Sequence, residues 1–146
     1  MLRLLLAASV GGLLGAEREM RRKSAGFRTN ILIAIGSTLF TVMSIDLAAS
    51  VGGDRTRIAA QIVTGIGFLG AGAIMRTGSG VRGLTTAAMI WVNAAIGVAV
   101  GGGEYHVAII TTGVTLFVLI LLNPVERWID RRSPESRKND SPNDDD

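Results

Sequence analysis

Residues 58–75 read IAAQIVTGIGFLGAGAIM, a run of 18 residues without a charge, and this run decides the fold because its solvent has to be lipid. An α-helix rises about 1.5 Å per residue, so the run covers nearly all of a hydrocarbon core about 30 Å thick. Four further apolar runs accompany it, at residues 2–16, 30–46 (or as far as 51), 83–100 and 105–122. In lipid every backbone polar group must be satisfied by protein, which favours helices that bond within their own segment. The expected fold class is therefore an all-α polytopic membrane protein, a bundle of five transmembrane helices.

Composition agrees with that reading. Of the 146 residues 48% are hydrophobic, and the charges are bunched into short segments between the runs instead of lying along amphipathic faces. The net charge of +3 does not point to nucleic acid, since the basic residues sit beside apolar runs, where cytoplasmic loops carry them. With no cysteine in the chain, disulfides and thiol chemistry are excluded.

The first run is short and resembles a signal peptide, with Leu14-Gly15-Ala16 as a crude cleavage site. Arginine placement argues against removal: Arg18, Arg21, Arg22, Lys23 and Arg28 follow the run and only Arg3 precedes it. That asymmetry holds the following loop in the cytoplasm and puts the N-terminus outside. Alternation then places Arg76, Arg82 and the basic tail inside, leaving Arg3, Arg55 and Arg57 as the basic residues outside. The expected topology is N-out and C-in. Residues 1–123 form the membrane domain and 124–146 a cytoplasmic tail. In that tail Asn123 can cap a short interfacial helix with Pro124 in its first turn, bringing Val125, Trp128 and Ile129 to one side. The rest, SPESRKNDSPNDDD, is polar and proline-bearing, and is expected to be disordered.

Gly65-Ile66-Gly67-Phe68-Leu69-Gly70 matches a dinucleotide-binding G-x-G-x-x-G string, but no strand precedes it and no acid follows about 20 positions on. In lipid, small residues instead let helix backbones approach. Gly11-x-x-x-Gly15, Gly67-x-x-x-Ala71 and Gly97-x-x-x-Gly101 repeat that spacing, so close packing within or between protomers, and a homo-oligomer, are expected.

Arg57, Gln61 and Thr64 fall at i, i+4 and i+7 and share a helix face. One reading has Arg57 reaching headgroups while Gln61 and Thr64 bond neighbouring helices. The other makes the face a polar conduit or ligand site. Thr86 with Asn93 forms a second such stripe, and Ser37, Thr41 and Ser44 a third. Asp46 is either interfacial or a cation or proton site. Asp46, Asp54 and Glu104 would all lie on the outer side, as hard oxygen ligands of the kind magnesium prefers. Glu17-Arg18-Glu19 with Arg21, Arg22 and Lys23 makes a charged inner cap, where Glu17 pairs with Arg21 and Glu19 with Lys23 at i, i+4. This cap either orients the chain against anionic lipid on the cytoplasmic side or borders an ion path. His106 is read as interfacial. No catalytic triad, metal-spaced cluster or phosphate loop is found, so no enzyme is expected.

Four strings carry a family likeness: GAERE at 15–19, AGFRTN at 25–30, DRTRIAAQIVTGIGFLGAGAIMR at 54–76 and VRGLTTAAMIWVNAAIGVAVGGG at 81–103. In these the chain resembles the transmembrane domain of the MgtC/SapB family of bacterial inner-membrane proteins, over most of residues 11–103. The resemblance implies a five-helix inner-membrane domain associated with growth under low magnesium and with intracellular survival of pathogens. By motif position it carries importance onto Glu17, Arg18, Glu19, Arg28, Asp54, Arg57, Gln61, Gly65, Gly67, Gly70, Arg82, Thr85 and Trp91. Many members continue into a soluble cytoplasmic domain, so the expectation here is the short form. The function expected is magnesium or cation homeostasis, by ion binding or transport through the polar faces with Mg²⁺ as ligand and no other cofactor. The alternative is a regulator that binds another membrane protein through small-residue faces, without flux.

Overall fold

The computed structural model describes residues 1–77 and 80–130, with the side chains of Thr77 and of 123–130 left aside. Its elements in chain order are α1 (Leu2–Met20), α2 (Phe27–Val51), α3 (Arg57–Ala73), β1 (Met75–Thr77), β2 (Gly80–Arg82), α4 (Leu84–Gly102) and α5 (Tyr105–Asp130). Each of the five expected spans is a helix. Three of them, α2, α4 and the Tyr105–Leu122 part of α5, are long and apolar enough to cross a membrane. At 17 residues α3 is shorter, about 25 Å at helical rise, which is the lower end of what a span requires.

Three boundaries depart from expectation. The charged cap is not a loop after α1 but its last turn, so Glu17 and Arg18 are presented at fixed helical positions. The third span stops at Ala73, before the expected Met75. Met75 instead opens a two-stranded antiparallel hairpin in which Met75 faces Arg82 and Thr77 faces Gly80. The hairpin closes at Gly83, whose φ of +92° and close approach to the Ala73 carbonyl leave no room for a side chain. Finally, α5 runs through Pro124 to Asp130 instead of ending near Leu122 and restarting as a short helix. A single proline removes one intrahelical bond, which bends a helix without having to end it. The tail at 131–146 lies outside the described residues.

Turn chemistry fixes the α2–α3 connection. Gly52 ends α2 in the left-handed region at φ +71°, and Gly53 N–H bonds back to the Ala48 carbonyl, a glycine-terminated helix end. Asp54 Oδ1 then accepts from both the backbone N–H and the hydroxyl of Thr56, each at 2.8 Å, forming an Asx turn that starts α3. Ser44 ties the new helix to the old one. Its hydroxyl donates to the Arg55 carbonyl at 2.8 Å and accepts from Ile58 N–H at 3.2 Å.

By its contacts the chain divides into Met1–Thr115 and a second unit from Leu116, whose described part is the rest of α5. In the first unit α2 and α4 are the inner pair: α2 packs on α1, α3 and α4, and α4 packs on α1, α2 and α3. Glycines set the approach. A methyl on Gly11 would stand 2.7 Å from the Asn30 carbonyl oxygen, and one on Gly15 would stand 2.8 Å from Phe27 Cα. On α4, a methyl at Gly97 would meet the Ala34 carbonyl oxygen at 2.7 Å, and one at Gly101 would meet Thr41 Cβ at 2.6 Å. The contacts at Gly11, Gly15 and Gly97 are to the neighbouring backbone itself, close approaches of the small-residue kind. Between α2, α3 and α4 the core is aliphatic, built from Ile33, Ile62, Ile66, Ile90 and Ala94.

Candidate functional site

The polar residues of the bundle gather along the inner faces of α2 and α4. At one end, Arg18 on α1 is buried and donates Nη2–H to Thr86 Oγ1 on α4 at 3.2 Å. The Ser24 hydroxyl reaches the same oxygen at 3.4 Å. Glu17, also buried, lies between two guanidiniums. It pairs with Arg21 one turn on, and its Oε2 stands 3.8 Å from Arg18 Nη1. Among the described residues neither Glu17 oxygen nor Arg18 Nε has an aligned hydrogen bond, so the trio is held by charge. Two cations against one acid at the end of α1 also suit the negative pole of its helix dipole.

Glu19 does different work. Its Oε2 accepts the N–H of Phe27 at 3.1 Å, capping α2 from across the turn, and it rests against Gly26 so closely that no side chain fits there. The turn between, with Arg22 and Ala25 at positive φ, is therefore held by a carboxylate, and the expected Glu19–Lys23 pair is not formed.

About two helical turns further along α4, Asn30 and Asn93 are both fully buried. The Asn93 amide donates to the Asn30 carbonyl at 2.8 Å and to Asn30 Oδ1 at 3.1 Å. The Asn30 amide in turn donates to the carbonyls of Ala25 and Gly26 at 2.5 and 2.9 Å. Beyond them the Thr38 hydroxyl donates to the Gly97 carbonyl at 2.8 Å, and Thr41 bonds back to Ser37. The second and third expected stripes are thus brought together in one seam that Thr38 and Asn30 complete. Neither of those two was singled out from sequence, although Asn30, Ser37, Thr41 and Ser44 sit at helical intervals of 7, 4 and 3 and so carried the signal. Arg3 was missed as well. It donates to the Gly101 carbonyl at 2.8 Å and to the Tyr105 hydroxyl at 3.2 Å, joining the starts of α1 and α5 to the end of α4.

The first stripe lies elsewhere. Arg57, Gln61 and Thr64 are all exposed, while Ile62, Ile66 and Gly70 form the buried face of α3. Gly65 and Gly67 look onto open space within the chain, and Gly70 makes ordinary contact with Ala87. Arg28, Arg82 and Thr85 are exposed, and Trp91 is 53% exposed.

Asp46 sits on the exposed side of α2, five residues before its end, Asp54 is in the exposed turn, and Glu104 is exposed ahead of α5. Among the described residues no three acids or histidines come together as a metal-binding set. The three carboxylates expected to serve as magnesium ligands therefore do not converge on one site. Glu17, the buried acid, faces guanidiniums instead. These residues do not fit a resident magnesium ion, for which several oxygens must close around the ion. Asp54 has its own role: the Thr56 N–H first, then the Thr56 hydroxyl, hold its carboxyl below the ordinary carboxylate range.

Comparison with known proteins matches this architecture to one family. The chain is 50% identical over 124 residues to the putative magnesium transporter YhiD of Escherichia coli K12, an overlap of 81% of this chain and 58% of that protein. It is 48% identical over 130 residues to Protein MgtC of Salmonella typhimurium LT2, covering 89% of this chain and 55% of that one. It is also 42% identical over 144 residues to an uncharacterized protein of Haemophilus influenzae, covering 92% and 60%. The chain thus spans somewhat more than half the length of these relatives, and no solved structure matches it. With the MgtC family model matching residues 4–128, this multi-pass bacterial membrane protein belongs to the MgtC family.

Proposed function

We propose that this chain is a membrane domain serving magnesium homeostasis in the bacterial inner membrane, N-terminus outside. It acts by docking on a membrane partner and not by conducting the ion through its own bundle. The printed name of the Escherichia coli relative, a putative magnesium transporter, supports the magnesium assignment. The observation that carries the mode of action is where the polar groups are used. The buried amides and hydroxyls of Asn30, Thr38, Thr41 and Asn93 donate to backbone carbonyls or to one another, with Thr38 and Asn93 joining α2 to α4, so these groups are engaged within the protein. The outer face of α3, by contrast, presents Ala60, Thr64, Gly67 and Ala71 at i, i+4, i+7 and i+11, all exposed. Small residues and a hydroxyl at that spacing suit a helix of another membrane protein or of a second copy.

The test combines two measurements. Purified protein in liposomes with a magnesium-sensitive dye inside should show no flux above empty vesicles. In cells grown at limiting magnesium, Gly67→Leu should abolish the effect of the wild-type chain although its melting temperature is unchanged. Magnesium entry into liposomes holding this chain alone would overturn the reading in favour of transport. Cross-linking through the α3 face separates a second copy from a different protein.

A further inference from the structure

Between α2 and α3 lies an open hollow of about 580 Å³, floored by Ile33, Gly36, Ile62 and Gly65 and walled by Phe40 and Leu69. A second hollow of about 480 Å³ adjoins it at Ile58 and Gln61 and ends at Asp54 and Arg57. Together they make a slot that is apolar for most of its length and charged at one end. We propose that this slot is a binding site for a single phospholipid of the aminophospholipid class. One acyl chain lies between α2 and α3, the phosphate is at Arg57, and the headgroup ammonium is at Asp54.

Length, width and charge argue for this occupant. From Ile58 to Leu69 the apolar part of the slot runs about 16 Å along α3, close to the roughly 15 Å depth of one leaflet's hydrocarbon. A spanning helix of a partner would need a face about twice as long. The floor is low because Gly36 and Gly65 have no atom within 4 Å of where a Cβ would stand, which leaves a groove wide enough for an acyl chain. At the mouth, Arg57 forms no ion pair among the described residues, and a guanidinium offers a phosphate two parallel donors. Asp54 has its Oδ1 occupied by Thr56, leaving Oδ2 to accept from a primary ammonium. Gln61, at the junction of the hollows, supplies an amide at the depth of the ester carbonyls. A headgroup carrying both phosphate and ammonium thus meets the two opposite charges in the order in which the chain presents them. The site is on the α2 side of α3, away from the Ala60–Ala71 face of the proposed function, and does not depend on it.

Delipidated full-length chain, titrated with phosphatidylethanolamine and examined by native mass spectrometry, should retain one lipid per chain, in preference to the choline analogue whose ammonium cannot donate. Arg57→Gln should weaken retention about tenfold, the worth of one charge-assisted hydrogen bond. Asp54→Asn should abolish the ethanolamine-over-choline preference while phosphate-dependent retention persists. Gly65→Leu, which projects into the slot without meeting protein, should remove the bound lipid at unchanged melting temperature, and Gly36→Leu provides the same readout if that variant fails to fold. Gly67→Leu, on the other face, should retain lipid as wild type does. Equal retention by wild type, Arg57→Gln and the slot-filling variants would overturn the proposal. Loss of a dimer instead of a lipid on filling the slot would also overturn it and assign the groove to a second copy.

Discussion

Asn93 on α4 donates one amide group to both the backbone carbonyl and the side-chain oxygen of Asn30 on α2, at 2.8 and 3.1 Å, and both residues are fully buried. Asn30 passes the linkage on, donating to the two carbonyls that end the α1–α2 turn. Three elements thus meet at two side chains. Because the seam lies among apolar helices, each unmet polar group left by a substitution has no water to turn to.

Asn30→Ala should therefore destabilise the chain more than Asn93→Leu. The first removes the side-chain donor to the Ala25 carbonyl and leaves Asn93 only the Asn30 backbone carbonyl, at about 1–3 kcal/mol for the buried group left unpaired, and it opens a cavity where the Asn30 side chain stood. The second removes the donor, leaves carbonyls that keep helix bonds, and also removes Asn93 Oδ1, which has no hydrogen-bond partner among the described residues. Denaturation of both single variants and the double variant gives the coupling. Additive losses would mean that the two amides do not act as a unit.

Gly97→Ala and Gly67→Ala should separate sharply in the purified chain. A methyl at Gly97 stands 2.7 Å from the Ala34 carbonyl oxygen and 2.8 Å from Ser37 Cβ, so α2 and α4 must move apart, at about 1–3 kcal/mol. At Gly67 the methyl meets nothing, and alanine's better helix propensity makes the change neutral or slightly stabilising. Thermal melts in one detergent decide it. Equal melting temperatures for both variants would contradict the helix contact at Gly97.

Sequence was sufficient for the helices because a membrane span is a property of local composition, and hydropathy alone places Ile58–Ala73 or Leu84–Gly102 in lipid. It was also sufficient for Gly11, Gly15, Gly97 and Gly101, since a small-residue interval reports close approach wherever two such faces meet. It could not separate those glycines from Gly67, which has the same spacing to Ala71 but no neighbour within 4 Å of where a Cβ would stand. Which face finds a partner is a tertiary matter. The polar stripes show the same limit: Thr86 with Asn93 and Gln61 with Thr64 look alike on a helical wheel, yet one pair is buried at helix contacts and the other is exposed. Asp46, Asp54 and Glu104 were grouped by expected side of the membrane, and sharing a side does not bring carboxylates within ligand distance of one another.

The Asx turn at Asp54 should give the α2–α3 connection an acid limit. Its folded carboxyl is held low by Thr56, whereas an unfolded aspartate titrates near about 3.9. A lowered folded value means that the turn's stabilisation is present above that pH and disappears as pH falls through the folded value. Asp54→Asn keeps an acceptor for Thr56 without the charge, so its melting temperature should be flatter than wild type below about pH 4. Parallel slopes for the two proteins in that range would show that the turn does not titrate with folding.

Glu17 offers the largest single effect, because it is the buried acid between Arg18 and Arg21. Glu17→Gln would leave the Arg18 guanidinium, itself buried, without its countercharge, and breaking a buried pair from one side costs about 3–5 kcal/mol. Arg21→Gln should cost far less, since its side chain is 29% exposed and water takes over its solvation. The pairing makes a further demand: Glu17→Gln combined with Arg18→Met removes both charges, and should recover part of the stability lost in Glu17→Gln alone. Chemical denaturation of wild type, Glu17→Gln, Arg18→Met and the double variant in the same detergent closes the cycle. A double variant as unstable as the sum of its parts would mean that Glu17 and Arg18 are not electrostatic partners, and that Thr86 alone holds Arg18 in place.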